Sequence, residues 1–180
     1  MATESYAALL RGIFPSGRNM SNAHLRGVFE SLGFEKVASI LASGNIVFRA
    51  PATDVAELEA SIEVALQGQL GIKGGTIIRT QAEVQGLLDR DPFAGYTHGP
   101  GTYLTATFLK SPLIEAPPEQ PHPLTRVLGY DPDARAVLAV TDNTVPGTTG
   151  NWMAWLTATH GEGITTRTWL TVQKIVAKMR

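Results

Sequence analysis

Between Tyr6 and Phe48 the chain sets two apolar runs, YAALL and NIVF, on either side of a single amphipathic helix. Tyr6 to Leu10 is too short for a helix and is bounded by Arg11-Gly12, so it reads as a central strand buried on both faces. Gly12 to Met20 (GIFPSGRNM) is a loop punctuated by Pro15, Gly17 and Asn19. Ser21 then caps a helix whose stripe is Leu25, Val28, Phe29 and Leu32, with Gly33 just past its end and Phe34 behind it. Lys36 to Leu41 and Asn45 to Arg49 read as two strands joined by a tight turn, where Gly44-Asn45 suits the positive φ of a reversal.

A second helix follows, with Val55, Leu58, Ile62 and Leu66 on one face and Asp54 and Glu57 at its positive end. Glu57, Glu59 and Glu63 read as its wet face. Thr76 to Arg79 is the fourth strand, and the order β-α-β-β-α-β is the ferredoxin-like split unit. Beyond it, Thr80 and Glu83 frame a third helix. Thr102 to Leu109 is a strand, and Ser111 to Leu124 holds five prolines in an extended connection. Arg126 to Tyr130 and Ala136 to Thr141 form a hairpin about Asp131-Pro132-Asp133. Asn151 to Thr159 is helical, Ile164 to Thr166 a short strand and Thr168 to Met179 a last helix. The expected fold is α+β. A ferredoxin-like subdomain over residues 1–80 precedes a second, smaller α+β subdomain over 81–180 that ends in a helix. The second half echoes the first in element order, with no repeat visible residue by residue.

The totals exclude several chemistries. With 180 residues, 43% hydrophobic, the chain can bury the core of one domain or two small ones. It has no cysteine, which removes disulfides, thiolate catalysis and Cys-ligated metals. No apolar run approaches the roughly 20 residues of a spanning helix, and MATESYAALL lacks a basic leader. A cytoplasmic protein without a membrane partner is expected. His24, His98, His122 and His160 are scattered, with no H-E-x-x-H, G-x-S-x-G or Walker lysine loop, so neither a metal nor a cofactor is expected. Net charge is −1, distributed as +2 over residues 1–50, −4 over 51–100 and +1 over 101–180. That balance argues against bulk nucleic-acid binding and leaves room for a local basic patch.

Candidate site residues follow from topology. In a split unit the end of the first strand, the turn of the neighbouring hairpin and the start of the first helix share one end of the sheet. Arg11, Gly12, Arg18, Asn19, Ser43, Gly44 and Asn45 therefore gather there. Helix N–H groups accept anions, and Arg11 and Arg18 offer bidentate contacts to phosphate or carboxylate. Each residue also has a structural role open to it: Arg11 pairing with an acid, Asn19 capping the loop, Asn45 favouring its turn. At the other end of the chain Trp169, Val172, Val176 and Met179 read as core. Arg167, Lys174 and Lys178 fall on the opposite helical face, Arg167 standing where a cation is disfavoured without an anion. The expected guest is a phosphate-bearing small molecule, a nucleotide or a nucleic-acid end. The rivals are an enzyme acting on a small phosphorylated or acidic metabolite, with His98, His122 or Asp91 as acid or base, and a structural or interaction module without a ligand. Trp152 and Trp155 suit base stacking, although core or interface packing is the commoner use.

Several spaced motifs agree in order with one family. Tyr6 to Ile13, Gly17 with Asn19, Leu25-Arg26, Leu32-Gly33-Phe34, Ser43 to Phe48 and TTRTWLTVQK (Thr165 to Lys174) carry the match. On these the chain resembles the bacterial domain-of-unknown-function family 1697 (DUF1697). The resemblance implies an α+β fold with ferredoxin-like substructure and brings no established activity, substrate or catalytic residue. The positions it carries over are Arg11, Gly12, Asn19, Ser43, Gly44, Asn45, Arg167, Trp169, Thr171 and Lys174. This chain departs from the family pattern at Phe14, Thr168 and Leu170, where asparagines stand, and in GTTGNWMAWL, which lacks the family's lysine. If those groups touch a ligand in relatives, this chain binds a different one or none.

Overall fold

Six consecutive buried residues, Ser5 to Leu10, leave β1 (Thr3–Leu10) with no wet face, as a strand flanked on both sides requires. The computed structural model describes residues 2–144 and 153–180, and over these the chain is an α+β protein with two four-stranded antiparallel sheets and five helices. By internal contacts it divides into two units, Met1–Ala82 with Lys174–Arg180 and Glu83–Gln173.

The first unit runs β1, α1 (Asn22–Ser31), β2 (Glu35–Ser39), β3 (Asn45–Pro51), α2 (Val55–Leu70) and β4 (Thr76–Thr80), with sheet order β2-β3-β1-β4. Ser21 Oγ accepts the His24 N–H at 3.2 Å and starts α1. At its other end Gly33, at φ +83°, donates to Glu30 O and Phe34 N–H reaches Phe29 O at 3.4 Å. This doubly bonded helix end turns the chain back on itself. It lays Phe34 on Phe48, ring centroids 4.5 Å apart, with Tyr6 stacked on the other side at 5.5 Å. Leu25, Ile46, Ile62 and Leu66 fill in around these rings.

The acids of α2 depart from expectation. Glu57 is exposed, but Glu59 is buried and its Oε2 accepts the Ile78 N–H at 3.0 Å, while Glu63 Oε1 accepts the Thr76 N–H at 2.9 Å. The cause is the sheet edge. β4 has no strand beyond it, so alternate N–H groups point outward. Carboxylates four residues apart on a helix are about 6 Å apart along its axis, close to the two-residue repeat of a strand. Edge amides and helix acids therefore fit without adjustment, and the edge is closed to another strand. Glu59→Ala leaves a buried N–H unpaired and is expected to cost about 1–3 kcal/mol in urea unfolding. Glu59→Gln, which keeps an acceptor oxygen, should recover part of it.

The second unit runs α3 (Gln81–Asp89, its first two residues in the first unit), β5 (Thr102–Leu109), β6 (Thr125–Asp131), β7 (Ala136–Asp142), α4 (Met153–His160), β8 (Ile164–Thr168) and α5 (Trp169–Met179), whose last turns belong to the first unit. Its sheet order is β6-β7-β5-β8. Leu109, Val127, Val137, Ala139, Leu156 and Ile164 make its core. Asn151 and Trp152, expected at the start of α4, lie outside the described residues. The proline-rich connection follows the outer edge of β6, where Glu119 O accepts the Val127 N–H at 2.7 Å.

The two sheets repeat one another in detail. Arg79 pairs with Ala7 in one and Arg167 with Ala106 in the other. The N–H groups of Arg11 and Lys110 donate to Gly75 O and Gly163 O at 2.9 and 2.8 Å. Leu10 and Leu109 donate to Gly44 and Arg135, both at positive φ. Each outer strand even slips register at a matching place, Glu35/Ala38 and Val127/Gly129. Backbone hydrogen bonding carries this repeat, and in residue types it shows only at isolated matched positions such as Ala7 and Ala106, Leu10 and Leu109, Gly75 and Gly163, and Arg79-Thr80 and Arg167-Thr168.

Candidate functional site

Three loops of the first unit close on one another at the end of β1. Leu10 N–H donates to Gly44 O at 2.8 Å and Arg11 N–H to Gly75 O at 2.9 Å, tying β1 to the β2–β3 turn and to the α2–β4 loop. A methyl group on Gly44 would meet Ile13 Cγ1 at 2.8 Å, and one on Gly74 would lie 2.0 Å from Arg11 O. The start of α1 joins through Asn22 Nδ2, which donates to Leu41 O at 2.7 Å. Arg11 is half-buried here, while Gly12, Arg18, Asn19 and Ser43 are exposed. Gly44 and Asn45 are buried, and Asn45 Nδ2 donates to Ile40 O and to Ser43 Oγ, both at 3.0 Å, and so closes the turn.

Charge distinguishes this end of the sheet. Residues 11–24, 40–45 and 71–75 contain Arg11, Arg18, Lys73 and His24, and no Asp or Glu. Lys73 is the residue that sequence reasoning missed, although a lone lysine between glycines in GIKGG was the available signal. The matching loops of the second unit carry Lys110 and Arg135 beside Glu115, Glu119, Asp133 and Glu162. The matching ends of the two sheets thus carry opposite charge. Over whole units the difference persists: ten basic and seven acidic residues in the first, a net +3, against five and nine in the second, −4.

Arg167 stands elsewhere. It lies in β8 and not in the last helix, so it shares no helical face with Lys174 and Lys178. The strand continues two residues beyond Thr166 because Arg167 and Thr168 still pair with Ala106 and Thr105. Arg167 is buried, its Nη1 donating to Thr165 Oγ1 at 2.7 Å and Thr166 O at 3.0 Å. Burial lowers its pKa to about 10. Arg79 in β4 is likewise buried, with Nη1 donating to Ile78 O at 2.7 Å. An arginine in the apolar run TIIRT was the signal for it. Trp169 is buried edge-on against Phe93 at 5.0 Å, and Lys174 is exposed.

The acid-base candidates sit in the second unit. His98 Nδ1 accepts the Leu104 N–H at 3.1 Å and its ring stacks on Tyr103. His122 Nδ1 accepts the Leu124 N–H at 3.1 Å, and Asp91 is exposed at φ +47°. Beside them a cleft of about 390 Å³ is lined by Tyr96, Gln120, Arg126 and Asp142 among others. Asp142, bonded by the N–H and hydroxyl of Thr144, has its carboxyl held below the ordinary range. Among the described residues no three His, Asp or Glu side chains are arranged to hold a metal ion, and no helix is long and apolar enough to cross a membrane.

Fold and site together define an α+β protein with a basic loop cluster at one end of its first sheet. Residues 3–126 match the family described as Protein of unknown function (DUF1697), and the chain belongs to that family. Its fold is similar to that of the conserved bacterial protein SP0830 from Streptococcus pneumoniae, with a TM-score of 0.70 and 20% identity over 99% of this chain and 100% of that one. No curated protein matches the chain.

Proposed function

We propose that the first unit, read as a ferredoxin-like split β-α-β-β-α-β, binds an anionic guest at the end of β1. The guest is a phosphate-bearing small molecule, a nucleotide or a nucleic-acid end. Arg11, Arg18 and Lys73 supply charge, Gly12 and Gly44 let the backbone come close, and Asn19 and Ser43 offer polar contacts. Asn45 holds the turn beneath them. One observation carries this reading: the three loops joined by backbone hydrogen bonds hold those cations and no Asp or Glu of their own, while the Glu63 carboxylate of α2 accepts the Thr76 N–H beside them. The loops at the matching end of the second sheet are acidic.

Thermal unfolding with added tripolyphosphate at constant ionic strength tests it. A ligand at about a hundred times its Kd adds about 2.7 kcal/mol, which raises Tm by roughly 5–10 °C for a chain of this size. Arg18→Ala and Lys73→Ala should each lose most of that rise, whereas Glu119→Ala should keep it. Equal stabilisation of all four proteins, or of none, removes the proposal.

A further inference from the structure

Among the three loops at the end of β1, two large apolar side chains are exposed: Phe14 is 62% exposed and Leu41 49%. Scattered apolar exposure is ordinary on any surface. What sets Phe14 apart is that its backbone is held on both sides. Its carbonyl accepts the Gly17 N–H at 2.8 Å and its N–H lies 3.5 Å from Met20 Sδ. The ring therefore projects from a fixed base in a loop that contains Arg18 and no acid. Nearby, Leu41 is held at φ +59° with its carbonyl on Asn22.

We infer that this end of the first unit docks single-stranded nucleic acid, Phe14 stacking on a base while Arg11, Arg18 and Lys73 follow successive phosphates. The inference rests on the anion-binding reading above and names its guest. A bare phosphate makes no use of an exposed ring. A base does, and every base has a face to offer, so stacking on one fixed ring asks for no particular sequence. The cations are spread along the loops, Arg11 and Arg18 seven residues apart in the β1–α1 loop and Lys73 in the α2–β4 loop, which suits a chain of phosphates better than a single group. A lipid surface is the other anionic partner that rewards exposed apolar side chains. Here the two apolar groups are interspersed with Ser16, Asn19 and Ser43, leaving little continuous apolar area to insert.

The test measures binding of a labelled short oligothymidylate to the full chain, alongside an abasic strand of equal length and vesicles containing an anionic lipid. The strand with bases should bind with log Kd rising about 2 per decade of salt, as about three phosphate contacts to a single strand require. Phe14→Ala should weaken that binding about tenfold and Phe14→Trp should retain it, while the abasic strand binds wild type no better than the strand with bases binds Phe14→Ala. The tripolyphosphate-induced rise in Tm should be the same in Phe14→Ala as in wild type. Equal affinity for the two strands, with tripolyphosphate still stabilising, overturns the stacking inference and leaves the anion reading intact. Absence of both effects overturns both. Phe14-dependent capture by the vesicles without oligonucleotide binding overturns the inference in favour of a lipid surface.

Discussion

Gly74→Ala should destabilise the protein by about 3 kcal/mol, more than an overpacked side chain usually does. A Cβ there would lie 2.0 Å from Arg11 O and 2.9 Å from its carbonyl carbon, and both belong to backbone that cannot rotate away. Either the α2–β4 loop or the end of β1 must move, and the Arg11 N–H to Gly75 O bond lies between them. The same substitution should therefore weaken tripolyphosphate binding, because it separates Lys73 from Arg11. Gly44→Ala combines a left-handed backbone at φ +80° with a 2.8 Å approach to Ile13 Cγ1, and should cost about 1–2 kcal/mol. Gly27→Ala is the control. It sits within α1 with nothing within 4 Å of the new methyl, so a gain of about 0.5–1 kcal/mol is expected. Urea unfolding of the three variants checks the order, and a neutral Gly74→Ala would mean that the loop is not seated on β1.

Arg167 should make stability depend on alkaline pH in a direction opposite to that of most ion pairs. Its pKa is lowered by burial to about 10. The folded protein therefore holds this proton less tightly than the unfolded chain. Below pH 10 the full cost of the buried charge is present, about 3 kcal/mol from the size of the shift. Above about pH 10 the folded state sheds the proton before the unfolded chain does and the cost fades. Compared with Arg167→Met, wild type should gain about 1 kcal/mol between pH 9 and 11. The stability gap between the two, followed by urea unfolding across that range, measures it. A gap independent of pH would remove the buried-charge reading. Replacing buried charge by an apolar side chain of similar length is frequently neutral or stabilising at neutral pH, so Arg167→Met should fold.

Strand and helix positions were legible because periodicity and caps are local. Ser21, Gly33 and Phe34 act as read, and β5 spans the expected residues. The polar residues at the end of β1 were legible as a group, since strand order alone brings the β1–α1 loop beside the β2–β3 turn. Their division of labour was not. Asn45 and Ser43 are two residues apart, yet one is buried in the turn and the other exposed, a difference that depends on where Ile40 O falls.

What the chain's residues determined unaided was the sequence of elements, the chemistry of their turns and the scarcity of acids in particular loops, all properties of neighbours along the backbone. Only tertiary structure decided that Glu59 and Glu63 turn inward to an edge strand, that Arg167 belongs to that kind of strand and not to a helix, and that one sheet is built twice. Hydrogen bonds between segments far apart in the chain specify these features, and such bonds are made by backbone atoms that every residue type shares.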